Sequence, residues 1–278
     1  MSAEPSVTTQ SDREQTPSAG KIHTEVADGI GWIIIDNPER RNALSVSMLE
    51  TMNRTLVEFN RNPDVSVIVL RGTGDAAFAS GADISEFEGR LASKQAQRRF
   101  DEVTAAVFGS LRGMAKPSIA MIAGYCLGGG LAVALGTDIR IAADLASFAI
   151  PAARLGVGYP LSNTEALVSI VGPAVAADIL FTGRQFRSGE AFAVGLVNRL
   201  VPLSELELTV RELAQTIVAN APLTIRAAKA SIRAATQPDS AVLHSAAIEA
   251  INRCGESEDV REGQRAFMQK RAPHFRGR

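Results

Sequence analysis

Short apolar runs with strand character fill the first half of the chain, and apolar residues at helical spacing fill the second. Residues 21–26 and 30–36 flank Ala27, Asp28 and Gly29, a pattern that predicts a β-hairpin closed by an Asp-Gly turn. Over 45–60, Met48, Leu49, Met52, Leu56 and Phe59 recur with the period of a helix face, and Ser45 stands where an N-cap is needed. A β-branched strand follows at 65–71. The next strand, 119–123, runs through a glycine-rich loop into a short helix at 131–136, and further strands are expected at 139–143 and 147–150. Beyond Pro160 the spacing turns helical, over 163–171, 173–181, 188–193, 203–220, 222–235 and 241–270. Strand and helix units come first and helices last, which predicts an α/β core followed by a helical region.

The segment 118–143, SIAMIAGYCLGGGLAVALGTDIRIAA, carries the most information. Its residues 119–136 are free of charge and long enough to raise a membrane-spanning helix, but five glycines divide them into a buried strand and a buried helix. With 278 residues and 46% hydrophobic content, the chain can bury a large core as one large or two modest domains. Twenty-nine basic and thirty acidic residues leave a formal charge of −1, so no global attraction to nucleic acid or an anionic bilayer is expected. A small anionic ligand would need a local basic patch. Cys126 and Cys254 lack metal-ligand spacing and suit two free thiols in a reducing compartment. Residues 1–20 are polar without an apolar block, the composition of a disordered tail and not of a secretory signal, so a cytoplasmic protein is expected. The last third, rich in Ala and Arg, carries more apolar surface than one core face requires, and a second subunit is the expected neighbour.

Common catalytic signatures are missing. The chain has no G-x-S-x-G, H-E-x-x-H or G-x-x-x-x-G-K-[ST], and the glycines at 128–130 do not make G-x-G-x-x-G. Its histidines, His23, His244 and His274, have no evident partner nearby in sequence. What remains is a pair of small-residue turns, Ala79-Ser80-Gly81-Ala82-Asp83 after the strand at 65–71 and Leu127-Gly128-Gly129-Gly130 after the strand at 119–123. If one N–H from each converged, the pair would form an oxyanion hole. Plain tight turns, with glycine relieving backbone strain, explain the same residues.

The motifs PERRNALS at 38–45, FASGADISEF at 78–87, GYCLGGG at 124–130, DIRIAA at 138–143, RLG at 154–156, LFTGRQFRSGEAFAVGLVNRLVP at 180–202 and FMQKRAPHFRGR at 267–278 occur in order. Together they resemble the enoyl-CoA hydratase/isomerase (crotonase) family over about 21–278. The resemblance implies a spiral core of repeated ββα units over 21–202 and a helical region over 203–278 that forms a homotrimer, often a dimer of trimers. It implies an acyl-CoA thioester as ligand, with coenzyme A part of the substrate and no separate cofactor or metal. Carried onto this chain, the N–H groups of Ala82 and Gly129 would hold the thioester oxygen. Ala82, Asp83 and Ile84 would line the adenine and pantetheine path, and Arg40, Arg41, Ala43 and Leu44 would flank the CoA phosphates. Lys270, Phe275 and Arg276 would close over CoA, from the same or a neighbouring subunit.

The chain departs from that family where its hydratases carry two glutamates, because Ala132 and Ala152 stand at the matching positions. Neither can transfer a proton, so two-carboxylate hydration is not expected, and an isomerase that keeps only the later glutamate is disfavoured too. Glu165 is the nearest carboxylate in sequence, but Ser162-Asn163-Thr164-Glu165 has the form of a capping box. Glu86 and Glu88 are expected on a solvated face. The run LGVGY at 155–159 resembles methylmalonyl-CoA decarboxylases of the same superfamily, with Tyr159 beside the substrate; packing as an amphipathic wall residue is the other explanation. Three functions follow: a thioester-enolate enzyme, a non-catalytic acyl-CoA-binding protein, and a decarboxylase of a malonyl-type thioester.

Overall fold

The computed structural model describes residues 20–83 and 93–278. Strands β1 (Lys21–Ala27) and β2 (Ile30–Asp36) pair antiparallel, with Ala27 opposite Ile30. Asp28 and Gly29 both have positive φ, 53° and 79°, which is the conformation a two-residue hairpin turn requires and which Asp-Gly tolerates. Helix α1 (Val46–Arg61) begins where Ser45 Oγ accepts the N–H of Met48, as its spacing predicts.

From here the chain builds two sheets by turns. Strands β3 (Val67–Gly72), β5 (Ser118–Ile122), β7 (Ile139–Ala143) and β10 (Arg199–Val201) extend the hairpin into a six-stranded sheet of order β1-β2-β3-β5-β7-β10. Each is followed or preceded by a short strand of the second sheet: β4 (Ala77–Ala79), β6 (Tyr125–Leu127), β8 (Ser147–Ala149) and β9 (Phe186–Arg187), in that order. Every pair beyond the hairpin is parallel except β8 with β9. One strand to each sheet and then a helix is the ββα spiral, a mixed α/β fold.

Strand alternation divides the core. Val67 and Val69 face one side of the large sheet with Ile30, Trp32, Ile119 and Met121, where Leu206, Val210 and Ala214 of α7 (Leu206–Ala219) cover them. Ile68 and Leu70 face the other side, against Met48, Met52 and Leu56 of α1 and Phe78 and Phe148 of the small sheet. Burial on both faces explains why these parallel strands read as continuous apolar runs.

Helix α2 (Lys94–Gly113) lies where the apolar pattern assigns no element. Its first two turns are charged and exposed, and only Val107, Phe108 and Leu111 are buried. The remaining helices are α3 (Gly129–Gly136), α4 (Ala152–Leu155), α5 (Leu161–Thr182), α6 (Ser188–Ala193), α8 (Pro222–Ala235), α9 (Ala241–Glu256) and α10 (Glu258–Met268). Gly172, with the non-helical φ of 77° and ψ of 164°, breaks α5 in front of Pro173 into two helical halves, as expected for 163–171 and 173–181. The single helix expected over 241–270 is instead two. Ser257 is extended, donates its N–H to Cys254 O and accepts the N–H of Val260 on Oγ, closing one helix and opening the next.

Glycine is required at Gly130, because a Cβ there would lie 2.2 Å from the carbonyl oxygen of Ala79. Gly130→Ala is expected to cost about 3 kcal/mol in urea unfolding, the strain of an overpacked backbone contact. Gly109, in the middle of α2 with open space where a Cβ would go, should behave oppositely. Gly109→Ala is expected to gain about 0.5–1 kcal/mol.

Candidate functional site

The loop before α1 is fixed by one buried side chain. Asn42 accepts the N–H of Asn37 on Oδ1 and donates through Nδ2 to the carbonyls of Thr73 and Ala77, with Arg41 and Asn42 both at positive φ. That clamp sets Leu44 against the turn at 80–83. The N–H of Leu44 donates to Gly81 O at 2.8 Å, and the N–H of Asp83 donates to Leu44 O at 2.9 Å. Because this parallel bridge uses the groups on either side of Ala82, the N–H of Ala82 itself points away from Leu44.

On that side lies the triple glycine. Gly128 takes a backbone conformation of φ 51° and ψ −116°, donates its N–H to Ala149 O, and accepts the N–H of Ala132. Gly129 is then the first residue of α3, so its N–H is one of the helix's unpaired N-terminal donors. A Cβ on Gly129 would stand 3.6 Å from the nitrogen of Ala82, and one on Gly81 would stand 3.6 Å from the nitrogen of Gly129. The two amides are therefore neighbours, and neither donates to an acceptor among the described residues. The partial positive charge at the start of α3 reinforces them, inside a helix buried from Gly130 to Gly136.

Ala82 and Gly129 open on a cavity of about 30 Å³, room for one or two water molecules. Leu44, Leu49, Val107, Phe108 and Val133 make its apolar wall, and Ala132 lines it one turn after Gly129. Ala152 is not among its lining residues and begins α4 instead. No ionisable side chain lines the cavity among the described residues.

This arrangement coincides with a match of the enoyl-CoA hydratase/isomerase model to residues 25–278. The chain belongs to the enoyl-CoA hydratase/isomerase family. It is 34% identical to the short-chain-enoyl-CoA hydratase of Clostridium acetobutylicum, over 87% of this chain and 92% of that one. It is also 34% identical to the crotonyl-CoA hydratase of Syntrophomonas wolfei, over 91% and 97%. A solved structure of an enoyl-CoA hydratase/carnithine racemase from Magnetospirillum magneticum superposes with a TM-score of 0.88 at 32% identity, covering 94% of this chain and 97% of that one.

Within this family member the other expected site residues fall into three groups. Ala43 and Leu44 are buried beside the cavity turn, and Arg40 Nη1 donates to both carboxylate oxygens of Asp83, at 2.9 and 2.7 Å. That ion pair ties the 38–44 loop to the 80–83 turn. Arg41 is exposed, its guanidinium 4.9 Å from the centre of the Tyr125 ring. Ile84, Glu86 and Glu88 lie outside the described residues. Lys270, Phe275 and Arg276 do not line the cavity of their own chain. Their segment folds back on α10, where Asp259 accepts the N–H groups of Arg276 and Gly277, and Phe275 packs against Gly263.

Tyr159 packs against the core without lining the cavity; its hydroxyl is buried with no partner among the described residues, and burial holds its pKa above the ordinary value. Two expectations are corrected. Ser162 and Glu165 form no capping box: α5 starts at Leu161, and the carbonyl of Pro160 accepts the N–H groups of Asn163 and Thr164, leaving Glu165 exposed. His23 does have a partner, Asp36 Oδ2 at 2.8 Å, which the hairpin brings across from thirteen residues away. Both cysteines are free, and burial raises the Cys126 thiol far out of its reactive range. Sequence reasoning missed Asn163 and Thr104, polar side chains in the cavity wall. Asn163 could have been noticed, since it falls three and four residues before buried Ala166 and Leu167 on the inward stripe of α5.

The returning C-terminal segment is held by charge as well. Glu262 accepts from both terminal nitrogens of Arg271 and from the N–H of His274, which lowers its pKa from 4.5 to about 2. A carboxylate with a depressed folded pKa stabilises fully above its unfolded value and loses that contribution as pH falls. The gap in melting temperature between the wild type and Glu262→Gln should be widest at neutral pH. It should close as pH falls from about 4.5 toward 2, as thermal unfolding followed by circular dichroism will show.

Proposed function

We propose that this protein binds an acyl-CoA thioester with the carbonyl oxygen between the N–H groups of Ala82 and Gly129 and stabilises the enolate formed from it. One observation supports this above the others: two unpaired amides from separate turns stand side by side on an apolar cavity. As the thioester becomes an enolate its oxygen gains negative charge, and fixed N–H donors in a dry site reward that change more than they reward the neutral carbonyl. Asp83, Ile84, Arg40, Arg41, Ala43 and Leu44 are assigned to the CoA path. The helices α9 and α10 leave Val242, Ile248, Ile251, Phe267 and Met268 exposed, which supports a trimer in which Lys270, Phe275 and Arg276 reach a neighbour's CoA.

The relatives named as hydratases supply the reaction class, a lyase acting on enoyl-CoA, but not its proton-transfer groups in this chain. Ala132 cannot act as acid or base, and the described wall offers no substitute. Crotonyl-CoA hydration is accordingly expected to fall far below that of a two-glutamate relative, measured by loss of enoyl absorbance. Rapid turnover would reveal a displaced base. Calorimetric titration with butyryl-CoA should nevertheless show binding. Binding without any turnover would make the protein a non-catalytic acyl-CoA carrier, and no binding would remove both ideas.

A second reading draws on the hydroxyl of Tyr159, buried without a partner among the described residues, which burial keeps protonated and therefore able to donate. Decarboxylation of a malonyl-type thioester breaks a carbon–carbon bond to give the same enolate and carbon dioxide without abstracting a proton. Release of carbon dioxide from methylmalonyl-CoA by the wild type, and a slower rate in Tyr159→Phe, is the expected outcome on that reading. Absence of release from both dismisses it.

A further inference from the structure

Gly129 takes its direction from the start of a helix, whereas Ala82 lies in a turn and must be aimed by its neighbours. The C=O and N–H of a trans peptide point opposite ways, so the bond from the N–H of Leu44 to Gly81 O turns the N–H of Ala82 toward Gly129. The aim therefore depends on where Leu44 stands. Leu44 follows a strained stretch, in which Arg41 and Asn42 are consecutive non-glycine residues at positive φ, 52° and 58°. Such backbone persists only where its surroundings hold it.

Arg40 stands just before that stretch. Its carbonyl accepts from Ser80 Oγ at 3.0 Å, and its Nη1 donates to both carboxylate oxygens of Asp83, at 2.9 and 2.7 Å. Ser80 and Asp83 flank Gly81 and Ala82 in sequence, so one arginine brackets the turn that carries the amide. Asp83 is only 7% exposed. Taking a carboxylate and a guanidinium out of water returns little net stability, so the pair is better explained by the geometry it imposes than by the energy it adds. The family likeness sets Arg40 beside the CoA phosphates, but that role alone gives Asp83 none. A carboxylate next to the arginine would repel the same phosphate.

Resting on the acyl-CoA reading above, we propose that Arg40 and Asp83 are positioning residues, which stabilise the enolate by fixing the direction of the Ala82 N–H. The ion pair locks the 80–83 turn against the strained loop, and the amide meets the thioester oxygen without reorienting.

The test uses acetoacetyl-CoA, whose β-keto thioester ionises to an enolate without a catalytic base and then absorbs in the near ultraviolet. With this ligand saturating, the ratio of enolate to keto form at fixed pH reports the oxyanion donors, whatever Arg40 contributes to holding CoA. Calorimetric titration with free CoA measures that contribution separately. Arg40→Met and Asp83→Asn are each expected to lower the ratio ~10-fold, because a misaimed donor loses much of its hold on the developing charge. The double variant should fall no further than either single one, as two residues acting through one contact require. Arg40→Lys should restore most of the ratio, since one nitrogen makes both bonds to Asp83. Arg40 is the more exposed partner, so its variants read the effect if Asp83→Asn does not fold. A ratio unchanged in Arg40→Met and Asp83→Asn would overturn the inference and leave the acyl-CoA reading standing. So would tighter binding of free CoA by Asp83→Asn with the ratio intact, which would make Arg40 a phosphate ligand that Asp83 holds back. Failure of the wild type to bind both free CoA and acetoacetyl-CoA would overturn the inference and the acyl-CoA reading together.

Discussion

Two turns from different ββα units meet main chain to main chain, and the site exists because nothing but hydrogen stands between them. Gly81 and Gly129 each present a bare Cα to the other's turn, and Gly130 sits so near the carbonyl of Ala79 that a methyl group cannot fit. Sheet geometry brings the turns together: β4 and β6 are parallel neighbours, and each turn leaves the end of one of them. The bridge between Leu44 and the 80–83 turn then uses the hydrogen-bonding groups on both sides of Ala82 and leaves its own N–H to face Gly129. A donor pair made in this way is rigid, since moving either amide would break a sheet or a helix start. Preorganisation of that kind is what an oxyanion site needs, because the donors do not have to reorient as charge develops.

The ion pair between Arg40 and Asp83 belongs to the same construction. Asp83 is nearly buried, and its main-chain N–H holds Leu44 while its side chain holds Arg40, so the loop before α1 is fastened to the turn twice. Such a carboxylate is spent on positioning and is not available as a base. Among the described residues no charged side chain lines the cavity, so a charge there would be met chiefly by main-chain dipoles, the two amides and the N-terminus of α3. A wall of that character stabilises an anion once it forms but supplies nothing to take a proton away.

Where local chemistry and global packing agreed, the sequence was legible. The Asp28-Gly29 turn, the Ser45 cap and the apolar period of α1 all appear where their residues put them. Legibility failed where tertiary contacts replaced local rules. Helix α2 buries only its last turns against the core, so its charged opening hid it. The apparent capping box at 162–165 lost to Pro160, whose carbonyl collects the first N–H groups of α5 and shifts the helix start ahead of Ser162. Ser257 looked like one more helical position, yet its hydroxyl caps α10 and splits the expected helix. Proximity of Ala82 to Gly129 could be carried over from the motifs of the family but not from spacing, since only the sheet decides which turns meet. Asn163 and Thr104 could not be brought together from spacing, because they line one cavity only when two helices far apart in sequence are packed side by side.

On the proposed reading, an alanine at position 132 beside the paired amides separates two tasks. Stabilising the enolate is a matter of fixed dipoles, and moving protons requires a titratable group in contact with the substrate. The pairing of the amides is made by backbone, so the side chain at position 132 does not decide it. On that reading the scaffold would hold a thioester oxygen whatever side chain follows the glycine loop, and its chemistry would turn on the groups that the cavity wall adds.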